Sequence, residues 1–293
     1  MATVRVLGAF EAVVAGSPAD LGGPRRRSVL ARLVAAQGRM VPADQLVADL
    51  WPDAAPPQAA AGLQSLVSHL RRVLEPDRPP RTPAAVLVTA PPGYALRLPQ
   101  ERVDAWWFDA LVDRAADADP AEARRCAEQA LAQWRGPAYA EFADLAWAAT
   151  EIARLDERHR IAVERRADAL LRLSAAAEVV PDLEAHVAAH PLREEAWRLL
   201  ALALYRAGRQ GDALGALRRA RATLTEELGV DPGPALRRLE ADILAQAPDL
   251  EPQRRETASA VPEPHAPPTP HAPPTPHAPP TPHAPPTPHA PPT

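Results

Sequence analysis

The run Leu63-Gln-Ser-Leu-Val-Ser-His-Leu-Arg-Arg-Val-Leu74 decides how the first third of this 293-residue chain reads. Leu63, Leu66, Val67, Leu70, Val73 and Leu74 recur at three- and four-residue steps, which stacks them on one face of a helix. Pro56-Pro57 just upstream suits a helix start. The opposite face carries Gln64, Ser65, Ser68, His69, Arg71 and Arg72. Such hydrogen-bonding and cationic side chains reach phosphates and base edges, and a helix fits the major groove of DNA. Taken alone, the same pattern also describes an amphipathic helix whose polar face is merely wetted.

The next stretch, Val86-Leu-Val-Thr-Ala-Pro-Pro-Gly-Tyr-Ala-Leu-Arg97, separates the two readings. Residues 86–89 and 94–98 are predicted strands, and Pro91-Pro92-Gly93 turns the chain between them, with Gly93 free to take a positive φ. A hairpin directly after an amphipathic helix is the order of a winged helix, with Gly93 and Tyr94 at the wing. Upstream, Pro42-Ala-Asp-Gln-Leu-Val-Ala-Asp-Leu-Trp51 reads as a short positioning helix that buries Leu46, Leu50 and Trp51 and stops at Pro52. Residues 4–10 and 11–15 read as two strands, and a further helix opens at Pro24. Arg25, Arg26 and Arg27 put three cations where the helix dipole disfavours positive charge. Either they face an anion or they form a solvated charge run.

Charge is divided unevenly along the chain. Residues 1–99 hold 11 Arg against 7 Asp and Glu, whereas residues 100–250 hold 20 Arg against 27 acids. The asymmetry points to nucleic acid at the N-terminal end and another partner beyond it. Between residues 103 and 246 the chain reads as helical segments joined by short connections such as Gly136-Pro137 and Pro191, with no convincing strand. Trp197, Ala201, Ala213, Leu217 and Ala220 follow tetratricopeptide spacing, in which small residues let paired helices pack closely.

These stretches carry a family resemblance. Residues 1 to about 250 resemble the SARP family of antibiotic regulatory proteins, an OmpR-type winged helix joined to a bacterial transcriptional activation domain. The matching stretches include Val6-Leu-Gly8, Leu21-Gly-Gly23, Asp44-Gln-Leu46, Leu50-Trp51, Leu63-Gln64, Leu70-Arg-Arg72 and Thr89-Ala-Pro-Pro-Gly-Tyr94. Trp134-Arg-Gly-Pro137, His190-Pro-Leu-Arg-Glu194, Ala203-Leu-Tyr-Arg206 and Glu227-Leu-Gly-Val-Asp-Pro-Gly-Pro234 follow in the same order. The family usually has an aromatic where Leu66 stands, an arginine where His69 stands and often a lysine where Arg25 stands. A histidine in place of that arginine puts one expected phosphate or base contact at His69 in question.

The resemblance implies a transcriptional activator that binds direct repeats in promoter DNA as neighbouring protomers. It also implies contact with RNA polymerase and its sigma factor, and control of a secondary-metabolite gene cluster. The expected DNA-binding residues are Arg25, Arg26, Arg27, Gln64, Ser65, Ser68, His69, Arg71, Arg72, Gly93 and Tyr94. Arg71, Arg72 and the Arg25 cluster are assigned to phosphates, and Ser65, Ser68 and His69 to base edges or water-bridged contacts. The fold class is mixed: an N-terminal α+β winged helix-turn-helix over residues 1–99, an all-α TPR-like helical array over 100–250, and a disordered Pro-rich tail over 251–293. The alternative is a ligand- or protein-sensing regulator or scaffold with a weak DNA-binding module. Trp106 and Trp107 would then line the sensing site, or else serve as structural aromatics beneath the array.

Catalytic and metal chemistry find little footing. Long relatives in the family add an ATPase module, whose phosphate loop needs a lysine, and the chain contains none. No nucleophile elbow or zinc signature occurs either, so neither an enzyme nor a cofactor is expected. His186 and His190 stand four apart without a third ligand. The tail ends in five copies of Pro-His-Ala-Pro-Pro-Thr, whose histidines at 265, 271, 277, 283 and 289 recur every six residues. In a polyproline helix they lie about 19 Å apart, too far for neighbours to share one ion. Cys126 is the sole cysteine, which agrees with a reducing compartment. No apolar run reaches the ~20 residues of a membrane helix, and a cytoplasmic location is expected.

Overall fold

The computed structural model describes residues 1–250, and the expectations for the histidine-bearing tail lie outside the described residues. The chain opens with an antiparallel sheet of β1 (Ala2–Arg5), β2 (Glu11–Val14) and β3 (Ser17–Pro18) in that order. Ala2 and Val4 alternate inward and are fully buried, while Arg5 reaches Glu11 across the pair. β1 is shorter than the expected 4–10 strand. Beyond Arg5 the backbone finds other partners: the Asp104 carboxylate accepts the N–H groups of Val6 and Leu7, and Leu7 O and Val6 O accept Arg135 N–H and Tyr139 N–H. Gly8 permits this close passage, because at φ 128° a side chain is strained and a Cβ would stand 3.1 Å from the Arg135 Cβ.

Helix α1 (Pro24–Ala35) starts as the sequence implies, with Pro24 at its first turn and Val29, Leu30, Leu33 and Val34 buried. The short strand β4 (Val41–Pro42) leads into α2 (Ala43–Leu50), where Leu46 is fully buried but Leu50 and the following Trp51 are only half-buried. Helix α3 (Ala59–Leu74) then buries Leu63, Val67, Leu70 and Leu74. β5 (Leu87–Ala90) and β6 (Gly93–Leu96) pair antiparallel, and β4 adds to β6, giving the order β4-β6-β5. The turn differs from expectation. Pro91 and Pro92, joined by a cis peptide, make it alone, and Gly93 does not take a positive φ. Gly93 lies inside β6, where a Cβ would fall 1.9 Å from Val41 O, so glycine is required by the approach of β4.

The remaining helices are α4 (Asp104–Asp117), α5 (Pro120–Leu131), α6 (Ala146–Arg172), α7 (Ala176–Ala189), α8 (Glu194–Arg206), α9 (Gln210–Leu228) and α10 (Pro234–Leu244). Asp119 caps α5 by accepting the N–H groups of Ala121 and Glu122 at 2.9 and 3.1 Å. In the α8/α9 pair, Trp197, Ala201, Ala213, Leu217 and Ala220 are all buried, as tetratricopeptide spacing implies. Gly136-Pro137 does not join two helices tightly. It sits in a longer passage between α5 and α6, in which Ala138 bridges Leu7; Val103, just before α4, bridges Val4, so residues beyond 100 add backbone pairing to β1 and the segment that follows it. Among the described residues, no helix is long and apolar enough to cross a membrane.

Packing divides the molecule at a place the sequence does not mark. One core gathers the N-terminal sheet, α1–α3, the β4-β6-β5 sheet, α4, α5 and the first part of α6 as far as Ala162. A second begins at Ala167 and continues through α10 to Leu250. The division falls inside α6, whose 27 residues run about 40 Å and belong to both. Leu7, Phe108, Leu111 and Tyr139, from both sides of the expected 99/100 boundary, are fully buried together in the first core. Complete burial of a leucine or phenylalanine contributes about 1.5–3 kcal/mol, so this shared packing is substantial.

Candidate nucleic-acid interface

Helix α3 carries hydrogen-bonding and cationic side chains on the side its phase demands. With Leu63, Val67, Leu70 and Leu74 inward, Gln64, Ser65, Ser68 and Arg72 are all exposed. Arg72 has no hydrogen-bond or ion-pair partner among the described residues, and it follows Ser65 and Ser68 down the outermost stripe. His69 stands apart from them: it is half-buried, and its Nε2 is closed off from solvent without a partner among the described residues.

The three arginines of α1 separate into two groups. An open groove of about 550 Å³ is lined by Gly23, Pro24, Arg25, Arg26 and Leu66, which places the start of α1 beside the middle of α3. Arg25 is exposed, with its guanidinium carbon 5.3 Å from the Trp51 ring centre. Arg27 is committed elsewhere. Its Nε and Nη2 meet the Glu141 carboxylate at 2.6 and 2.5 Å, Nη2 also donates to Phe10 O at 2.7 Å, and the group lies over the Phe10 ring. The hydrogen bonds that Arg27 donates to Glu141, more than the carboxylate's charge, push the Arg27 pKa above its ordinary value against the opposing cost of burial. This fork fastens α1 to the passage before α6.

Arg71 is likewise occupied. Its Nε donates to Leu87 O at 2.8 Å and its Nη2 to Thr89 Oγ1 at 2.7 Å, both on β5, and its guanidinium stands 5.8 Å from the Tyr94 ring centre on β6. Tyr94 is therefore half-buried against α3, and Gly93 is buried beneath β4. Of the residues expected to touch DNA, the structure brings Arg25, Gln64, Ser65, Ser68 and Arg72 to open surface around α3 and leaves Arg26 half-buried at the edge of the groove. Arg27, Arg71, His69 and Gly93 are engaged or enclosed within the fold.

The tryptophans expected either to line a sensing site or to serve structurally have different surroundings. Trp106 is nearly buried and donates its Nε1–H to Val34 O at 2.9 Å, tying α4 to α1. It also borders an open crevice of about 700 Å³ between the β6 end and the α4/α6 face, lined in part by Arg97, Leu98, Asp109 and Arg158. Trp107 carries the Arg114 guanidinium 5.8 Å over its ring. The His186 and His190 rings pack edge to face at 5.0 Å, and His186 Nε2 faces Glu164 Oε1 at 3.6 Å. Among the described residues no group of three or more potential metal ligands converges.

Comparison with known proteins matches this geometry in two pieces. Residues 19–96 match the family described as transcriptional regulatory protein, C terminal, and residues 103–244 match the bacterial transcriptional activator domain. The chain is 38% identical over 259 residues to the transcriptional regulatory protein EmbR of Mycobacterium tuberculosis, covering 87% of this chain and 66% of EmbR. It therefore spans slightly less than two thirds of that relative. It is 34% identical over 267 residues to the transcriptional regulator RedD of Streptomyces coelicolor, covering 90% of this chain and 75% of RedD. The regulatory protein AfsR of the same organism is 38% identical over 267 residues, 88% of this chain and 26% of AfsR. The solved structure of M. tuberculosis EmbR in complex with a low affinity phosphopeptide superposes with a TM-score of 0.77 at 38% identity, over 84% of this chain and 66% of that one. The chain belongs to the SARP family of transcriptional regulators, which join an OmpR-type winged helix to a bacterial transcriptional activator domain.

Proposed function

We propose that this regulator binds promoter DNA with α3 in the major groove and activates transcription by recruiting RNA polymerase and its sigma factor through its helical half. Residues 1–99 would supply the DNA-binding part and 100–250 the activating part. Gln64, Ser65 and Ser68 would read base edges, while Arg25, Arg26 and Arg72 would neutralise phosphates. The observation that carries this reading is the exposed stripe of α3, whose polar side chains are left without internal partners among the described residues beside the cationic start of α1. Direct repeats occupied by adjacent protomers, within a secondary-metabolite gene cluster in the cytoplasm, complete the proposal. It is tested by incubating the protein with fragmented genomic DNA at near-physiological salt and sequencing the bound fragments. Enrichment of a promoter with a short direct repeat supports it; uniform recovery that vanishes with salt refutes specific readout.

The crevice beside Trp106 favours one second reading, a small-molecule sensor. Its size falls in the usual range for ligand sites. A ligand preferring the native state would raise the melting temperature in a thermal-shift screen, and Trp106→Leu would abolish that rise.

A further inference from the structure

Arg71 and Arg72 are neighbours in sequence, and a helix turns them about 100° apart. That rotation gives them different surroundings. Arg72 faces outward on the stripe of Ser65 and Ser68, whereas Arg71 points along the flank of α3 onto the hairpin. One edge of the Arg71 guanidinium is spent on β5, with Nε on a main-chain carbonyl and Nη2 on a side-chain hydroxyl, while its central carbon stands over the Tyr94 ring on β6. The hairpin is anchored elsewhere by the buried Leu87 and Leu96 and by Pro92 O, which accepts the Ala43 N–H at 3.2 Å, while Arg71 supplies side-chain hydrogen bonds from α3 to β5. β6 pairs with β4 over only two residues, Val41 with Tyr94 and Pro42 with Gly93, and the tip is the two-proline turn. The planar fork of arginine satisfies two separated acceptors while stacking, which a lysine ammonium on its flexible stem does not.

We propose that Arg71 is a positioning residue that holds the wing at a set angle to α3, and that Arg72 is the cation this pair presents to DNA. The inference rests on the proposed DNA reading. A wing held by α3 meets the backbone beside the groove in the register that the helix dictates, so helix and wing contacts form together. Thr89 and Tyr94 become parts of the same clamp: Thr89 accepts from the guanidinium edge and the Tyr94 ring lies beneath its central carbon.

The test uses the full chain and a promoter fragment recovered from genomic selection, with hydroxyl-radical footprinting and anisotropy titrations across a salt series. Failure of the wild-type protein to select any fragment overturns the DNA reading itself and is seen before any variant is made. With a selected fragment in hand, Arg72→Ala is expected to reduce the slope of log affinity against log salt by about one and to leave the footprint outline intact. Arg71→Ala and Arg71→Lys are expected to weaken binding about tenfold, keep the wild-type slope and lose protection on the wing side only. Thr89→Val, which retains every charge and nearly the same shape, should show a smaller version of the same wing-side loss. The proposal is overturned if Arg71→Ala lowers the slope by about one with wing protection unchanged and Arg71→Lys restores it, since that describes an ordinary phosphate contact. Equal footprints for Thr89→Val and wild type at unchanged affinity overturn the clamp as well.

Discussion

The Asp104 carboxylate accepts the backbone N–H of Val6 at 2.8 Å from 98 residues further along the chain. It also accepts the Leu7 N–H at 3.0 Å and a 3.2 Å contact from Arg135 Nη2, and so fastens the exit of β1 to the first turn of α4. Burial pushes this carboxyl above its usual range, and the surrounding N–H donors and Arg135 only partly offset the shift. Asp104→Ala strands two buried N–H groups, each costing about 1–3 kcal/mol, so a loss of roughly 3 kcal/mol is expected in urea titrations. Asp119→Ala, which removes an exposed helix cap, should cost only about 1 kcal/mol. Equal, small losses in the two variants would contradict the anchoring role of Asp104.

The Arg27 pair with Glu141 separates structural from DNA-facing arginines. Arg27→Ala is expected to lower stability by about 1 kcal/mol while leaving the salt slope of DNA binding unchanged. Arg26→Ala should do the reverse, with an unaltered melting midpoint and a slope reduced by about one. Titrations of both variants on one promoter fragment decide the matter, and a reduced slope for Arg27→Ala would place that residue on DNA.

Much of this was legible in the order of residues, and the exceptions share a cause. The apolar period of Leu63, Val67, Leu70 and Leu74 gave the phase of α3, and with it the exposed Gln64, Ser65, Ser68 and Arg72. The buried set around Trp197 and Ala220 was equally plain, because local spacing fixes which helix faces meet. What local spacing cannot carry is a partner distant in sequence. β1 stops at Arg5 because Asp104, Arg135 and Tyr139 take over its backbone, and Arg27 turns inward because Glu141 waits 114 residues on. Arg71 and Arg72 are the same residue type side by side, and contacts with Leu87, Thr89 and Tyr94 on the distant hairpin distinguish them. The boundary between cores inside α6 leaves no mark at all, since a continuous helix has no breaker residue there.

Gly93→Ala tests the approach of β4 to β6. The added methyl would overlap Val41 O, a main-chain atom with no freedom to rotate away. The strands must separate, at an expected cost above about 3 kcal/mol, measured as a shift in the urea midpoint. Gly23→Ala serves as the comparison, because a Cβ there meets nothing within 4 Å. A tolerated Gly93→Ala would show that the β4-β6 pairing is looser than described.

The seam between the two cores should respond to acid. His159, set edge to face 4.5 Å from the Trp134 ring, has its pKa lowered mainly by burial and further by His186, Arg160 and His190, with Asp156 opposing. Burial first, then Arg160, His186 and Arg193, lowers His190 as well. Burial favours a higher pKa at Glu164, but the facing His186 and the Arg193 fork outweigh it and hold that carboxylate below its usual range. A depressed folded-state pKa contributes stability that is present above the unfolded value and lost as pH falls through the folded value. The histidine contributions should therefore fade below about pH 6.5, and that of Glu164 further down, below about 4.5. Urea midpoints between pH 8 and 4 are expected to fall in that sequence, and His159→Gln should flatten the first part. An unchanged slope in that variant would remove His159 from the account.

The central claim, that the outer stripe of α3 reads DNA, is tested most directly by one ratio. The affinity of Gln64→Ala/Ser65→Ala/Ser68→Ala for the selected promoter is divided by its affinity for a scrambled duplex at the same salt, alongside a melting curve. The account predicts a ratio near one, against about a thousandfold or more for the unmodified protein, with an unshifted melting midpoint. A ratio that survives the triple substitution in a folded protein would contradict it.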